Sequence, residues 1–141
     1  MPNFQVASRA LVAAFVFAAG TTSMSAAAAP LTLQYNGFVS GLGSNVFVDG
    51  LAKFGAVGAG AFSFTITDPL PTESFTAYCI ELDQSVGSLV NNYNATTAAA
   101  YWASSPARQT NVAKLFAGGY SDSLTSATKS AAFQVALWEV V

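Results

Sequence analysis

The chain has 141 residues, with five basic and seven acidic side chains, no histidine and one cysteine, Cys79. A single cysteine rules out an internal disulfide, and the lack of histidine removes Cys-His and Ser-His nucleophile pairs, His-ligated zinc and the commonest general acid/base at neutral pH. Its few basic residues form no cluster that would neutralise a row of phosphates, so nucleic acid is not an expected partner.

At the N-terminus, Arg9 supplies a small positive region, Ala10 to Gly20 an apolar run, and Ser23 to Ala28 the small residues a signal peptidase needs. The apolar run is too short to span a bilayer. Pro30 disfavours a cut directly before it, which puts cleavage after Ala27 or Ala28. Residues 1–28 therefore read as a signal peptide, and residues 29–141 as one exported domain with no membrane span, secreted or at the cell surface. That mature part has 113 residues and a net charge of −3, enough chain for one modest core.

From Leu31 to Val86, short β-prone runs alternate with Gly, Asn, Asp and Pro, which predicts an antiparallel sheet. Strands are expected over 31–39, 45–48, 61–67 and 74–82. Phe62, Phe64 and Ile66 alternate with Ser63, Thr65 and Thr67, so the aromatic side should face a core, and Asp68-Pro69-Leu70-Pro71 should end that strand. Gly55, Gly58 and Gly60 lack the Gly-Lys-Ser/Thr of a phosphate loop and read as a flexible hairpin connection. Asn94-Ala95-Thr96 matches a glycosylation sequon, a pattern short enough to arise by chance.

Beyond about Asn91 the periodicity shifts towards three and four. Helices are expected over 96–103, from Ser105-Pro106 through Phe116 with Gly118-Gly119 as the stop, and from near Ser123 or Ser126 to the end. Phe133, Ala136, Leu137 and Val140 should share one face of the last helix. Its pattern is still running at Val141, so the chain is expected to continue. The fold expected is α+β: a β-sandwich or barrel-like sheet from the first half with three short helices from the second packed on it.

Two segments place one reactive residue type in apolar surroundings: Tyr78-Cys79-Ile80-Glu81 and Ala132-Phe133-Gln134-Val135-Ala136-Leu137-Trp138. A thiol and a carboxamide held together away from water can form an internal thioester, with sulfur adding to the carbonyl and ammonia leaving. Alignment supplies the rate, through effective molarities of about 10⁵ M or more, so no histidine is needed. Tyr78, Phe133 and Trp138 would shield the pair from water until an amine attacks.

The paired segments resemble the signature of thioester domains, in which aromatic-Cys-hydrophobic supplies the thiol and hydrophobic-Gln-x-Ala-hydrophobic-Trp the amide. They also resemble exported proteins of Gram-negative bacteria that carry a C-terminal PEP-CTERM sorting signal. The resemblance spans roughly residues 72–141. It implies a covalent adhesion or binding module with Cys79 and Gln134 as the thioester pair, Trp138 packed over it, and a lysine- or amine-bearing surface protein or matrix polymer as partner.

Each residue also has a plainer reading. Cys79 is by itself a small core residue, Gln134 a capped or solvent-facing one, and Glu81, Asp83 and Glu139 solvated charges without the spacing of a calcium loop. No metal or cofactor is expected. An enzyme is the least favoured class, because no spacing suggests a carboxylate pair or an activated Ser/Lys. The alternative to a covalent module is a non-reactive exported structural or matrix protein with Cys79 in its core.

Overall fold

The computed structural model describes residues 29–49, 55–69, 72–82 and 90–141. The expected signal peptide lies outside the described residues, as does Asp83. In chain order the elements are β1 (Ala29–Phe47), β2 (Ala56–Asp68), β3 (Glu73–Ala77), β4 (Val90–Ala95), α1 (Ala98–Tyr101), α2 (Pro106–Ser123) and α3 (Ala127–Val140). All strand pairs are antiparallel, in one sheet of order β3-β2-β1-β4. The α+β class is therefore as expected. Among the described residues the sheet is a single open layer, without a facing sheet or closure into a barrel.

The two strands expected over 31–39 and 45–48 are one long strand. Register shifts between Tyr35 and Gly43, with Gly37 and Gly41 at positive φ, absorb the glycine-rich stretch without ending β1. Likewise Gly58 and Gly60 are not part of a flexible connection but pair in register with Asn45 and Gly43. Gly60 has φ +145°, and a Cβ there would run into the Leu42 carbonyl, so the close approach of β1 and β2 requires glycine.

The period-two reading of β2 holds. Phe62 and Phe64 are buried and Ile66 is partly buried, packed with Leu33, Ala77 and Tyr93 into one of two core clusters. β2 ends at Asp68, before Pro69. β3 is shorter than expected, stopping at Ala77 opposite Phe62. The edge strand β4, Val-Asn-Asn-Tyr-Asn-Ala, was not anticipated; its buried Tyr93 belongs to this cluster.

The second, larger cluster joins the helices to the sheet through Leu42, Ala61, Tyr78, Ile80, Trp102, Val112, Phe133 and Leu137. α2 starts after Ser105 with Pro106 in its first turn, as the sequence suggests, but runs through Gly118-Gly119 to Ser123. The reason is packing: a Cβ on Gly119 would lie 3.2 Å from the Phe133 ring, so this glycine admits a neighbouring helix rather than ending its own. Ser126 caps α3 by accepting a hydrogen bond from the Lys129 N–H at 3.3 Å. No helix among the described residues is long and apolar enough to cross a membrane.

Candidate functional site

Beyond Ala77 the chain leaves the ladder and runs against α3. Phe62↔Ala77 is the last β2–β3 pair, and the backbone groups beyond it are met by side chains of the helix. The Ala61 N–H donates to Ser130 Oγ at 2.9 Å. One turn further along α3, Gln134 Oε1 accepts from the Cys79 N–H at 2.9 Å while Gln134 Nε2 donates to the Cys79 carbonyl at 2.6 Å. Gln134 is fully buried, so its amide would be costly to bury without both bonds.

This two-point clamp brings together the two residues singled out from sequence, 55 positions apart. The carboxamide lies against the residue that carries the thiol. Its carbonyl is already polarised by a backbone N–H, the kind of donor that stabilises an oxyanion when a nucleophile adds to a carbonyl. Cys79 is half-buried, and its Sγ–H donates to the Glu81 carbonyl at 3.0 Å. Its side chain packs against the sheet cluster, whereas its neighbours Tyr78 and Ile80 belong to the helical one, so strand-like alternation puts the sulfur at the junction of the two.

The three residues expected to shield the pair have separate surroundings. Tyr78 and Phe133 pack together at a ring separation of 4.6 Å inside the helical core, with Tyr120 and Phe116 around them. They brace α3 from the side of the strand opposite the sulfur cluster. Trp138, one turn beyond Gln134, is partly exposed, yet its Nε1 is buried without a hydrogen-bond partner.

A polar chain unnoticed in the sequence fixes this junction. Tyr78 OH donates to Ser123 Oγ at 2.8 Å, Ser123 donates to the Tyr120 carbonyl at 2.6 Å, and Ser130 Oγ lies 3.0 Å from the Tyr78 oxygen. Since the tyrosine proton goes to Ser123, Ser130 donates to Tyr78, giving one direction of donation from Ala61 through Ser130, Tyr78 and Ser123 to Tyr120. All three hydroxyl residues are buried. Such a closed network orders the elements it joins, here β2, the Tyr78 segment and the two long helices. The position of Ser130 one turn before Gln134 is the sequence signal that could have revealed it.

Glu81 is not a solvated charge. Its Oε1 accepts from Tyr101 OH at 3.0 Å, and its Oε2 is buried with no hydrogen-bond partner. Burial raises the Tyr101 pKa, and the hydrogen bond to Glu81 and the charge of Glu81 raise it further, so the phenol remains a donor at neutral pH. Tyr101 and Ile80 also line a cleft of about 290 Å³ together with Ser105, Arg108 and Val141. No group of three or more His, Cys, Asp or Glu residues suited to a metal ion occurs among the described residues. No protein-family model, curated protein or solved structure matches this chain.

Proposed function

We propose that this domain is an extracellular or cell-surface binding module that closes an internal thioester between Cys79 Sγ and Gln134 Cδ and uses it to attach to amine-bearing partners. The observation that carries this reading is the clamp: both ends of the Gln134 amide bond to the backbone of the one cysteine in the chain. Addition of sulfur to Cδ places negative charge on Oε1, where the Cys79 N–H already donates. Loss of Nε2 as ammonia leaves an acyl group that a lysine side chain of a surface protein or matrix polymer would open, forming an amide and returning the thiol. The module modifies itself and its partner once and does not turn over. With this reading go export through the N-terminal leader, the thioester-domain and PEP-CTERM kinship, and a sandwich or barrel to which the open sheet would contribute one layer.

A second reading has an observation of its own. The same amide bonds two backbone groups beyond the end of β3, which would suffice to retain Gln134 in a non-reactive structural protein with Cys79 as core. Intact mass separates the two. The covalent reading expects freshly purified protein at mild pH to be lighter by one ammonia, to gain methylamine on treatment, and to lose both properties in Cys79→Ala and Gln134→Ala. Full mass in folded wild-type protein would leave the structural reading.

A further inference from the structure

A thioester is useful only where an amine can reach its carbonyl carbon, and the two flanks of the Cys79 segment differ in access. Gln134 is wholly buried, and Tyr78 and Ile80 are packed into the helical core, so that flank is filled. Cys79 is half-buried, and its side chain packs against the sheet cluster, on the face of the sheet away from the helices. On the basis of the thioester reading, we infer that this sheet face is the surface on which the partner docks, and that the partner presents a basic, lysine-bearing polypeptide segment laid across it.

The face is aromatic and, among the described residues, no helix side chain belongs to its cluster. Phe38 stacks on Phe62 at a ring separation of 4.8 Å, Tyr35 lies 5.9 Å from Phe62 and 5.4 Å from Phe64, and Phe64 stacks on Phe75 at 5.7 Å, giving one continuous strip. Phe38 is exposed and Tyr35 and Phe75 are partly so, which suits them to take the alkyl stem and ammonium of a lysine. Charge points the same way. The four strands carry two exposed carboxylates, Asp68 and Glu73, and no lysine or arginine. Arg108, Lys114 and Lys129 are all on α2 and α3, so the sheet attracts a cationic segment and holds no amine of its own on its strands. Glu73 pairs with Ile66 and Phe75 with Phe64, so Glu73, Phe75, Ala77 and Cys79 follow one another along one side of the chain. At about 3.3 Å per extended residue, that line from carboxylate to sulfur is at most roughly 20 Å long, within reach of a short extended peptide.

The capture step balances without a redox partner. A lysine nitrogen bonds Gln134 Cδ, the Cδ–Sγ bond breaks, and the proton that nitrogen loses ends on sulfur, leaving an amide and the Cys79 thiol. Docking contributes by holding the amine beside the bond, and an amine with no segment attached gains nothing from it. Two properties are thereby separable. The reactivity of the bond is read by any amine, whereas the choice of partner is read only by a segment long enough to touch Phe75 and Glu73.

The test compares two amines on the mature protein, methylamine and pentalysine, with capture followed by intact mass at low salt. Glu73→Lys should slow capture of pentalysine about tenfold, and Phe75→Thr about threefold, while both take up methylamine at the wild-type rate. Asp122→Lys, the same change of charge at an exposed position of α2, should leave both rates unchanged. Added salt should erase the effect of Glu73→Lys. Should Glu73→Lys fail to fold, Glu73→Gln decides, with pentalysine capture slowed about threefold. An unchanged pentalysine rate in the folded Glu73 variant, or equal slowing by Asp122→Lys, overturns the inference and leaves the thioester standing. Wild-type protein that keeps its full mass and takes up neither amine overturns both.

Discussion

Replacing Cys79 and Gln134 separately by alanine distinguishes a covalent cross-link from a hydrogen-bonded clamp by energy alone. In an open protein, Cys79→Ala keeps both backbone hydrogen bonds to Gln134 and removes a half-buried sulfur with its weak hydrogen bond to the Glu81 carbonyl, a loss of about 1 kcal/mol. Gln134→Ala instead removes the two hydrogen bonds between its amide and the Cys79 N–H and carbonyl. At about 1–1.5 kcal/mol for each, the loss should be about 2–3 kcal/mol. In a closed protein the bond ties together positions 55 residues apart, and chain-entropy arithmetic gives such a loop about 4 kcal/mol. Cys79→Ala then forfeits that term but regains the Nε2 hydrogen bond, for a net loss of about 3 kcal/mol. Urea unfolding at mild pH, read from midpoints at constant slope, measures these differences against the 5–15 kcal/mol usual for a domain. A Cys79→Ala protein within about 1 kcal/mol of wild type would refute the cross-link.

Tyr78→Phe should cost about 2 kcal/mol, because it removes the two buried hydrogen bonds that Tyr78 makes with Ser123 and Ser130, and equal urea midpoints would show that the polar chain contributes nothing. Gly60→Ala should prevent normal pairing of β1 and β2, since the new Cβ meets the Leu42 carbonyl at an unfavourable φ, whereas Gly118→Ala, within α2 and with open space around it, should give soluble folded protein; circular dichroism of both variants tests the contrast. Burial raises the pKa values of Tyr35, Tyr101 and Tyr120 above 10.0. Their stabilisation is complete below that value and is lost as pH rises through the folded-state pKa values, so the unfolding midpoint should fall above pH 10.0 and fall less in Tyr101→Phe.

Local pattern made some of this legible and tertiary packing hid the rest. Phe62, Phe64 and Ile66 announced the inner face of β2 by strict alternation, and of the two starts the sequence offered for α3, near Ser123 or Ser126, the structure takes Ser126. Gly118-Gly119 misled because its local meaning, a helix stop, was overridden by the Phe133 ring, which sits where a side chain on Gly119 would be. β4 was invisible since three asparagines in six residues signal a turn, and it holds as an edge strand through Tyr93 and its pairing with β1. The meeting of Cys79 with Gln134 was readable from paired motifs. That the amide grips the cysteine backbone, and that Glu81 is tethered by Tyr101, depends on where β3 stops, which no local pattern records.

The end of β3 is also what links structure to chemistry. A strand that leaves its sheet exposes donors and acceptors that must be met, and here α3 meets them with Ser130 at Ala61 and Gln134 at Cys79. Because α3 and the Tyr78–Glu81 segment run in the same direction, with Ser130 beside Tyr78 and Val141 in the cleft with Ile80, the helix follows the departing strand. A side-chain amide bonded to both backbone groups of one residue is held against the backbone of that residue. With alanine at position 79 the arrangement is a staple and nothing more. With cysteine the clamped residue also carries a thiol, so the structural and covalent readings start from one arrangement and differ only in whether ammonia is lost.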